Sequence, residues 1–349
     1  MHRLLPPSAD PAPIFELFRG AHGTELLTAA VVEFDLFNQL ARQPRSFDEL
    51  RAVLGLAPRP ATVLITALRA MQLLALDAAG RLTLTPLAEQ HLTRESPWDV
   101  SGYLGLAGDS PGVQAMIARL KTNRPAGQDK PDEGTAFIFR AGVDSAMERE
   151  ASARHLTLSL AGRARNVAPV LAARYPLADA RRLLDIGGGS GLYTIAYLQR
   201  YPQLRAVIWD RPEVLKVAQE LSVEHGVSDR VELVAGDMFV DHVPVDCDVH
   251  LLSNILHDWD VPECRRLVER SAQSLPQGGR LLIHDVLLND EHDGPLPIAL
   301  YSASLFSLTE GRAYSYAEYR DWLVAAGLRV EPPRSTLVHC HVIAATRDG

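Results

Sequence analysis

The 349-residue chain predicts an α/β protein, a mostly parallel sheet with helices on both faces, preceded by a smaller helical domain of winged-helix shape. Three observations carry this. From about residue 182, short apolar runs alternate with amphipathic helical segments, the pattern of parallel strands joined by crossover helices. Before about residue 91, apolar pairs recur at helical spacing and end in two short alternating strands. The length exceeds the ~250–300 residues at which single cores stop growing, so two parts are expected, 1–104 and 105–349.

In the first part, Leu26-Leu27, Val31-Val32, Phe34 and Leu36-Phe37 mark helices. Ser46-Phe47-Asp48-Glu49 fits a capping box, in which hydroxyl and carboxylate satisfy orphan amides at a helix start. A turn at Leu54-Gly55-Leu56, a helix over 59–74 and strands at 75–77 and 81–84 around Ala79-Gly80 complete a helix-turn-helix with a wing. Such a shape can read DNA. Its recognition segment, Ala61 to Leu74, however, offers only Arg69 among Leu, Ile, Val and Met, which favours a packing surface.

Residues 97–131, rich in Gly, Pro, Asp and Lys, read as a boundary followed by loop, with a hinge near Gly105. Helical spacing resumes from about Phe137 through Met147, Leu156, Leu160, Val167 and Leu171. Strands are expected at 182–186, 205–210, 231–234, 248–252, 280–286, 329–331 and 335–345. Only Pro332-Pro333-Arg334 joins the last two, too little for a helical crossover, so they form an antiparallel hairpin.

Composition narrows function. A net charge of −8 disfavours a general hold on nucleic acid, which depends on Lys and Arg neutralising phosphate. No signal-peptide core or membrane-length apolar run occurs, and Cys247, Cys264 and Cys340 lack disulfide or metal spacing. A soluble, reduced, cytoplasmic protein without membrane attachment is expected.

The chemistry gathers at consecutive strand ends. The strand Leu183-Leu184-Asp185-Ile186 runs directly into Gly187-Gly188-Gly189-Ser190-Gly191 and a helix, where glycine permits positive φ and close approach of a ligand to helix-start amides. Leu192 at the sixth position breaks the dinucleotide fingerprint. Asp210 ends the next strand, where a carboxylate can accept both ribose hydroxyls. The third strand ends in Gly236-Asp237-Met238-Phe239, an acid for an adenine amino group with two apolar covers. The fourth leads to Ser253-Asn254-Ile255-Leu256-His257-Asp258-Trp259.

With LLDIGGGSG, GDMF, LHDW and GRAYSYAEYRDWLVAAG in order, the chain resembles the S-adenosylmethionine-dependent small-molecule O-methyltransferases of the caffeic acid O-methyltransferase type, in their bacterial specialised-metabolism branch. The resemblance implies a class I methyltransferase Rossmann-like sheet with an antiparallel last strand, an N-terminal winged-helix dimerisation domain and a homodimer. It implies S-adenosyl-L-methionine as methyl donor, with S-adenosyl-L-homocysteine as product. Gly187, Gly188 and Gly189 would approach its methionine part, Asp210 with Arg211 the ribose, and Asp237 with Met238 and Phe239 the adenine. His257 would be the general base. Ser253 stands where plant members carry a lysine and would make a weaker version of that lysine's cofactor contact. The two acids that flank the histidine in the family are altered: Asp285, at the end of the fifth strand, is a shortened version of one, and the other falls at Ala313, with Glu310 close by.

Histidine suits the task because its pKa near ~6.5 leaves it largely neutral at neutral pH, and a carboxylate on its far nitrogen orients the ring. Asp285 is the first candidate for that carboxylate and Glu310 the second. His339-Cys340-His341 on the final strand puts two imidazoles on one face, but no acidic ligand accompanies them in sequence, and no metal is expected. The insertion 289–315, with Leu300, Leu305, Phe306 and Leu308, should roof the pocket of a small, largely apolar acceptor; by the resemblance Phe139 and Met147 would face it. Three functions follow: O-methylation of a phenol or enol, as in antibiotic biosynthesis; a carbon- or nitrogen-methylating or non-methylating enzyme on the same fold; and a winged-helix regulator with a vestigial sensor domain.

Overall fold

The computed structural model describes residues 2–125 and 150–348, which divide into two compact units. A helical unit takes residues 16–134 and 288–315, and a sheet unit takes 1–15, 135–287 and 316–349. This division differs from the expected one at 104, because the segment after 104 and the insertion after 287 both cluster with the N-terminal helices.

The chain opens with α1 (Ala12–Arg19), α2 (Ala21–Val32) and α3 (Leu36–Arg42). The capping box starts α4 (Phe47–Leu54): Glu49 N–H donates to Ser46 Oγ at 3.3 Å and Ser46 N–H to the Glu49 carboxylate at 2.8 Å. Next come α5 (Pro58–Ala70), with proline in its first turn where no N–H partner is needed, and the antiparallel wing of β1 (Leu74–Leu76) and β2 (Leu82–Leu84). The second helix ends at Ala70 rather than 74.

Its burial settles what that helix can do. Arg59 to Ala61 and Val63 to Leu68 are all buried, and α5 packs on the helix Leu296–Leu308 of the same unit. Arg59 donates to the Thr309 and Gly311 carbonyls at 3.1 and 3.3 Å, and its guanidinium lies over the Phe306 ring at 4.9 Å. The face that would enter a DNA groove is the core of this unit. After α6 (Pro86–His91), the stretch expected as loop holds α7 (Ser101–Gly105) and α8 (Pro111–Thr122), both packed on or near α2.

The sheet unit begins with the long α9 (Glu150–Arg174), then β3 (Arg182–Ile186), α10 (Leu192–Arg200), β4 (Arg205–Asp210), α11 (Pro212–Glu224), β5 (Val231–Ala235), β6 (Val249–Ser253), α12 (Val261–Ser274) and β7 (Arg280–Leu288). These strands are parallel in the order β7-β6-β3-β4-β5. Leu183 through Ile186 are buried one after another, as a strand covered on both faces requires. After α13 (Leu296–Leu308), which belongs to the helical unit, α14 (Tyr316–Ala325) leads to the last strands.

There the expectation needs correction. The final strand is broken: Arg334–Ser335 and Cys340–Arg347 are separate, with Val338 and His339 at φ +56 and +59 between them. Cys340–Arg347 runs antiparallel to β7 and also pairs antiparallel with Leu328–Val330. His339 therefore lies off the strand, in a left-handed turn, and does not share a strand face with His341.

Candidate active site

The strand order turns between β3 and β6: β4 and β5 continue from one, β7 from the other. At such a point neighbouring loops diverge and leave a crevice at the carboxyl ends of the strands. The glycine turn follows β3 and the histidine segment follows β6, so both motifs flank that crevice.

The glycines divide by what surrounds them. A Cβ at Gly187 would lie 2.6 Å from Ile255 Cδ1, one at Gly188 2.8 Å from Ile208 Cγ2, and one at Gly191 2.7 Å from Ile208 Cδ1. These three positions are closed by packing behind the turn. At Gly189, with φ +58, nothing among the described residues stands nearer to an added Cβ than the Gly187 carbonyl at 3.9 Å, which leaves room for a ligand on this side of the turn. Asp210 reaches the same place: its Oδ2 accepts the Gly189 N–H at 2.8 Å and its Oδ1 the Arg211 N–H at 2.7 Å. Each oxygen retains a lone pair for a further donor. Burial raises this carboxyl above its ordinary range, against the two amides. The Arg211 side chain turns to Asp237, 3.5 Å away, and so ties the second strand end to the third. Asp237 also accepts the Phe239 N–H at 2.8 Å, and the Phe239 ring meets the edge of Trp259 with centroids 4.5 Å apart. Met238 is half-buried beside them.

His257 sits in a 3₁₀ turn, Leu256–Asp258, whose carbonyl ends are held by Cys264: the thiol donates to Leu256 O at 3.1 Å and Trp259 O at 3.3 Å. The imidazole is buried, and its Nδ1 lies 2.5 Å from Asp285 Oδ1. Asp285 is itself buried within β7; it accepts the Val286 N–H at 2.8 Å and, on its other oxygen, the Tyr319 hydroxyl at 3.1 Å. Burial works to raise this carboxyl, but His257, the Val286 amide and Arg163 together outweigh it and hold it below the usual range. An ionised Asp285 fixes Nδ1 as the protonated nitrogen and leaves Nε2 to accept a proton. Asp258 Oδ1 stands 3.7 Å from Nε2. Burial pulls the His257 pKa down, Asp285 and then Asp258 pull it up, and the net shift is upward. The neutral imidazole is thus lost, as pH falls, at a pH above the ordinary histidine value.

Residues 134–329 match the O-methyltransferase domain family. The chain belongs to that family. It is 34% identical to the 3-hydroxy-5-methyl-1-naphthoate 3-O-methyltransferase of Streptomyces sahachiroi over 92% of this chain and 90% of that one. It is 30% identical to the tetracenomycin polyketide synthesis 8-O-methyl transferase of Streptomyces glaucescens over 91% of each. The crystal structure of an O-methyltransferase family 2 protein from Planctomyces limnophilus, in complex with apigenin, superimposes with a TM-score of 0.89 at 50% identity, covering 99% of this chain and 98% of that one. The enzyme is an S-adenosylmethionine-dependent methyltransferase.

The other expected residues of this methyltransferase, where described, have contacts within their own units. Glu310 belongs to the helical unit, whereas Asp285 is in contact with His257 within the sheet unit. Ala313 is buried and donates its N–H to Ser302 Oγ at 3.1 Å. Phe306 is 0% exposed beneath Arg59 and so serves as core of the helical unit. Phe139 and Met147 lie outside the described residues. Ser253 Oγ meets His284 Nδ1 at 2.9 Å. Sequence reasoning missed four groups. Asp258 and Tyr319 stand inside the quoted motifs but were given no role. Asp185, beneath the glycine turn, accepts the Thr194 hydroxyl at 2.7 Å, and burial, with Asp210's like charge, pushes it up to about 7. Arg163 on α9 reaches Asn254, and nothing local in the sequence signals it. No helix among the described residues is long and apolar enough to cross a membrane.

Proposed function

We propose that the enzyme transfers the methyl group of S-adenosylmethionine to a hydroxyl of a small hydroxylated aromatic, with His257 as general base and Asp285 as the acid that orients it. The observation that carries this is the buried chain Tyr319–Asp285–His257, in which the carboxylate accepts the Nδ1–H, fixes the ring and leaves Nε2 as acceptor. The acceptor class follows the relatives, since hydroxynaphthoate and apigenin are both hydroxylated aromatics.

The glycine turn and the acids fit the donor. Gly189 leaves room for its amino-acid part, Asp210 retains acceptor capacity for two ribose hydroxyls, and Asp237, Met238 and Phe239 would take the adenine. When bound, the donor supplies a sulfonium-activated methyl for in-line displacement. His257 removes the hydroxyl proton as the acceptor oxygen gains the methyl, and Asp285 stabilises the imidazolium that results.

Incubation with methyl-labelled S-adenosylmethionine and apigenin or a hydroxynaphthoate tests this. The expected product carries one label as an O-methyl group by NMR. Labelling on carbon or nitrogen, or binding of the donor without transfer to any hydroxyl, would contradict it.

A homodimer through the helical unit is part of the same reading. Leu17 and Phe18 on α1 are 83% and 81% exposed, and Tyr103 and Leu106 77% and 80%, more apolar surface than a solvated helical face carries. Leu17→Glu with Phe18→Glu should convert a dimer to monomer in sedimentation at micromolar concentration. A parent that is already monomeric, or a variant that stays dimeric, defeats this assignment.

A further inference from the structure

Arg163 projects from α9 to the segment after β6, 91 residues away in sequence. One guanidinium nitrogen donates to Asn254 Oδ1 at 2.6 Å and the other to Cys340 Sγ at 2.9 Å. Asn254 stands at φ +56, a left-handed conformation that few non-glycine residues adopt and that asparagine tolerates better than most.

Its surroundings form a connected set. The Asn254 amide N–H donates to the His284 carbonyl at 2.8 Å, and its side-chain amide donates to the Tyr193 hydroxyl at 3.2 Å and Ser253 Oγ at 3.1 Å. Ser253 Oγ meets His284 Nδ1, and His284 Nε2 meets Thr336 Oγ1 at 3.0 Å. Thr336 Oγ1 donates to the Cys340 carbonyl at 3.0 Å, which returns the network to Arg163's second partner. Helices α9 and α10, strands β6 and β7 and the last strand are thereby joined at one residue, just before His257.

We propose that Arg163 is a positioning residue for methyl transfer: by holding Asn254 in its left-handed turn it fixes the segment that presents the His257 imidazole. This rests on the reading of His257 as base. Charge reinforces the geometry. Among the described residues of the sheet unit, Asp285 on β7, with Tyr319 of α14 on its second oxygen, and Asp258 in the same turn favour the imidazolium. The guanidinium of Arg163 opposes them and also favours the Asp285 carboxylate. It keeps the base neutral to lower pH than the two acids alone would allow.

The test is a double-mutant cycle: Arg163→Met and Arg163→Lys, each alone and with His257→Ala, followed by circular dichroism, calorimetry with S-adenosylmethionine and single-turnover transfer against pH. R163M should fold and keep donor affinity within about threefold, yet transfer about 10–100-fold more slowly, the scale of a slightly misplaced group. Its acid limb should move to higher pH. R163K, which keeps charge without the planar fork, should restore the limb more than the rate. In the His257→Ala background R163M should add less than about twofold, because the effect passes through His257. If R163M does not fold, Asn254→Gly, which tolerates the turn but removes the amide bridge, goes through the same cycle with the same expected slowing. An equal loss in both backgrounds with the limb unmoved would make Arg163 mere scaffold and overturn the proposal. Near-parental R163M beside a crippled His257→Ala defeats the proposal alone, whereas near-parental His257→Ala defeats the base reading and the proposal with it.

Discussion

Alanine at His257 lowers turnover on a hydroxyl acceptor by about 10²–10⁴-fold, the range for removal of a positioned general base, and leaves S-adenosylmethionine affinity nearly intact. The separation of effects follows from placement. His257 lies in the turn after β6, while the residues assigned to the donor follow β3, β4 and β5. Asp285→Asn should cost less, because the ring remains caged while the charge that favours the imidazolium disappears. Steady-state kinetics with calorimetry on the three proteins checks this. A His257→Ala enzyme with near-parental turnover would mean that the fold works by proximity alone.

Asp210→Ala weakens S-adenosylmethionine binding by about 10²–10⁴-fold, since two ribose hydroxyls lose a charged acceptor, each worth roughly 1.5–3 kcal/mol. In the structure the same carboxylate gathers the Gly189 and Arg211 amides, so its removal also loosens the one open position of the glycine turn. Asp210→Asn, which keeps the shape and one acceptor oxygen, should lie between. Calorimetry that finds unchanged affinity in Asp210→Ala would remove this strand end from the donor site.

Much of this was legible in the sequence where local chemistry is decisive. The capping box at Ser46 requires only neighbours three residues apart, and β3 and β4 show as short, mainly apolar runs because both faces of a parallel sheet are covered. The reading failed where one residue type serves two purposes. Pro111 looked like a loop marker, yet it occupies the first turn of α8, where its missing N–H costs nothing. Val338 and His339 carry no sign of the left-handed turn that breaks the final strand, for both are ordinary strand residues. Asp285 lies inside the strand expected at 280–286, where His257, Tyr319 and Val286 accommodate its charge, contacts that the sequence does not show. Relations across long separations were invisible: Arg59 with Gly311 and Arg163 with Asn254 depend on the fold.

The pH dependence of single-turnover methyl transfer tests the central claim most directly. With His257 as base, the rate falls about tenfold per pH unit below a pKa that lies above the ordinary histidine value of ~6.5, since Asp285 and Asp258 outweigh burial at the imidazole. The limb should vanish in His257→Ala. A rate that stays flat through the histidine range in the parent enzyme, or a limb that persists unchanged without His257, would contradict the account.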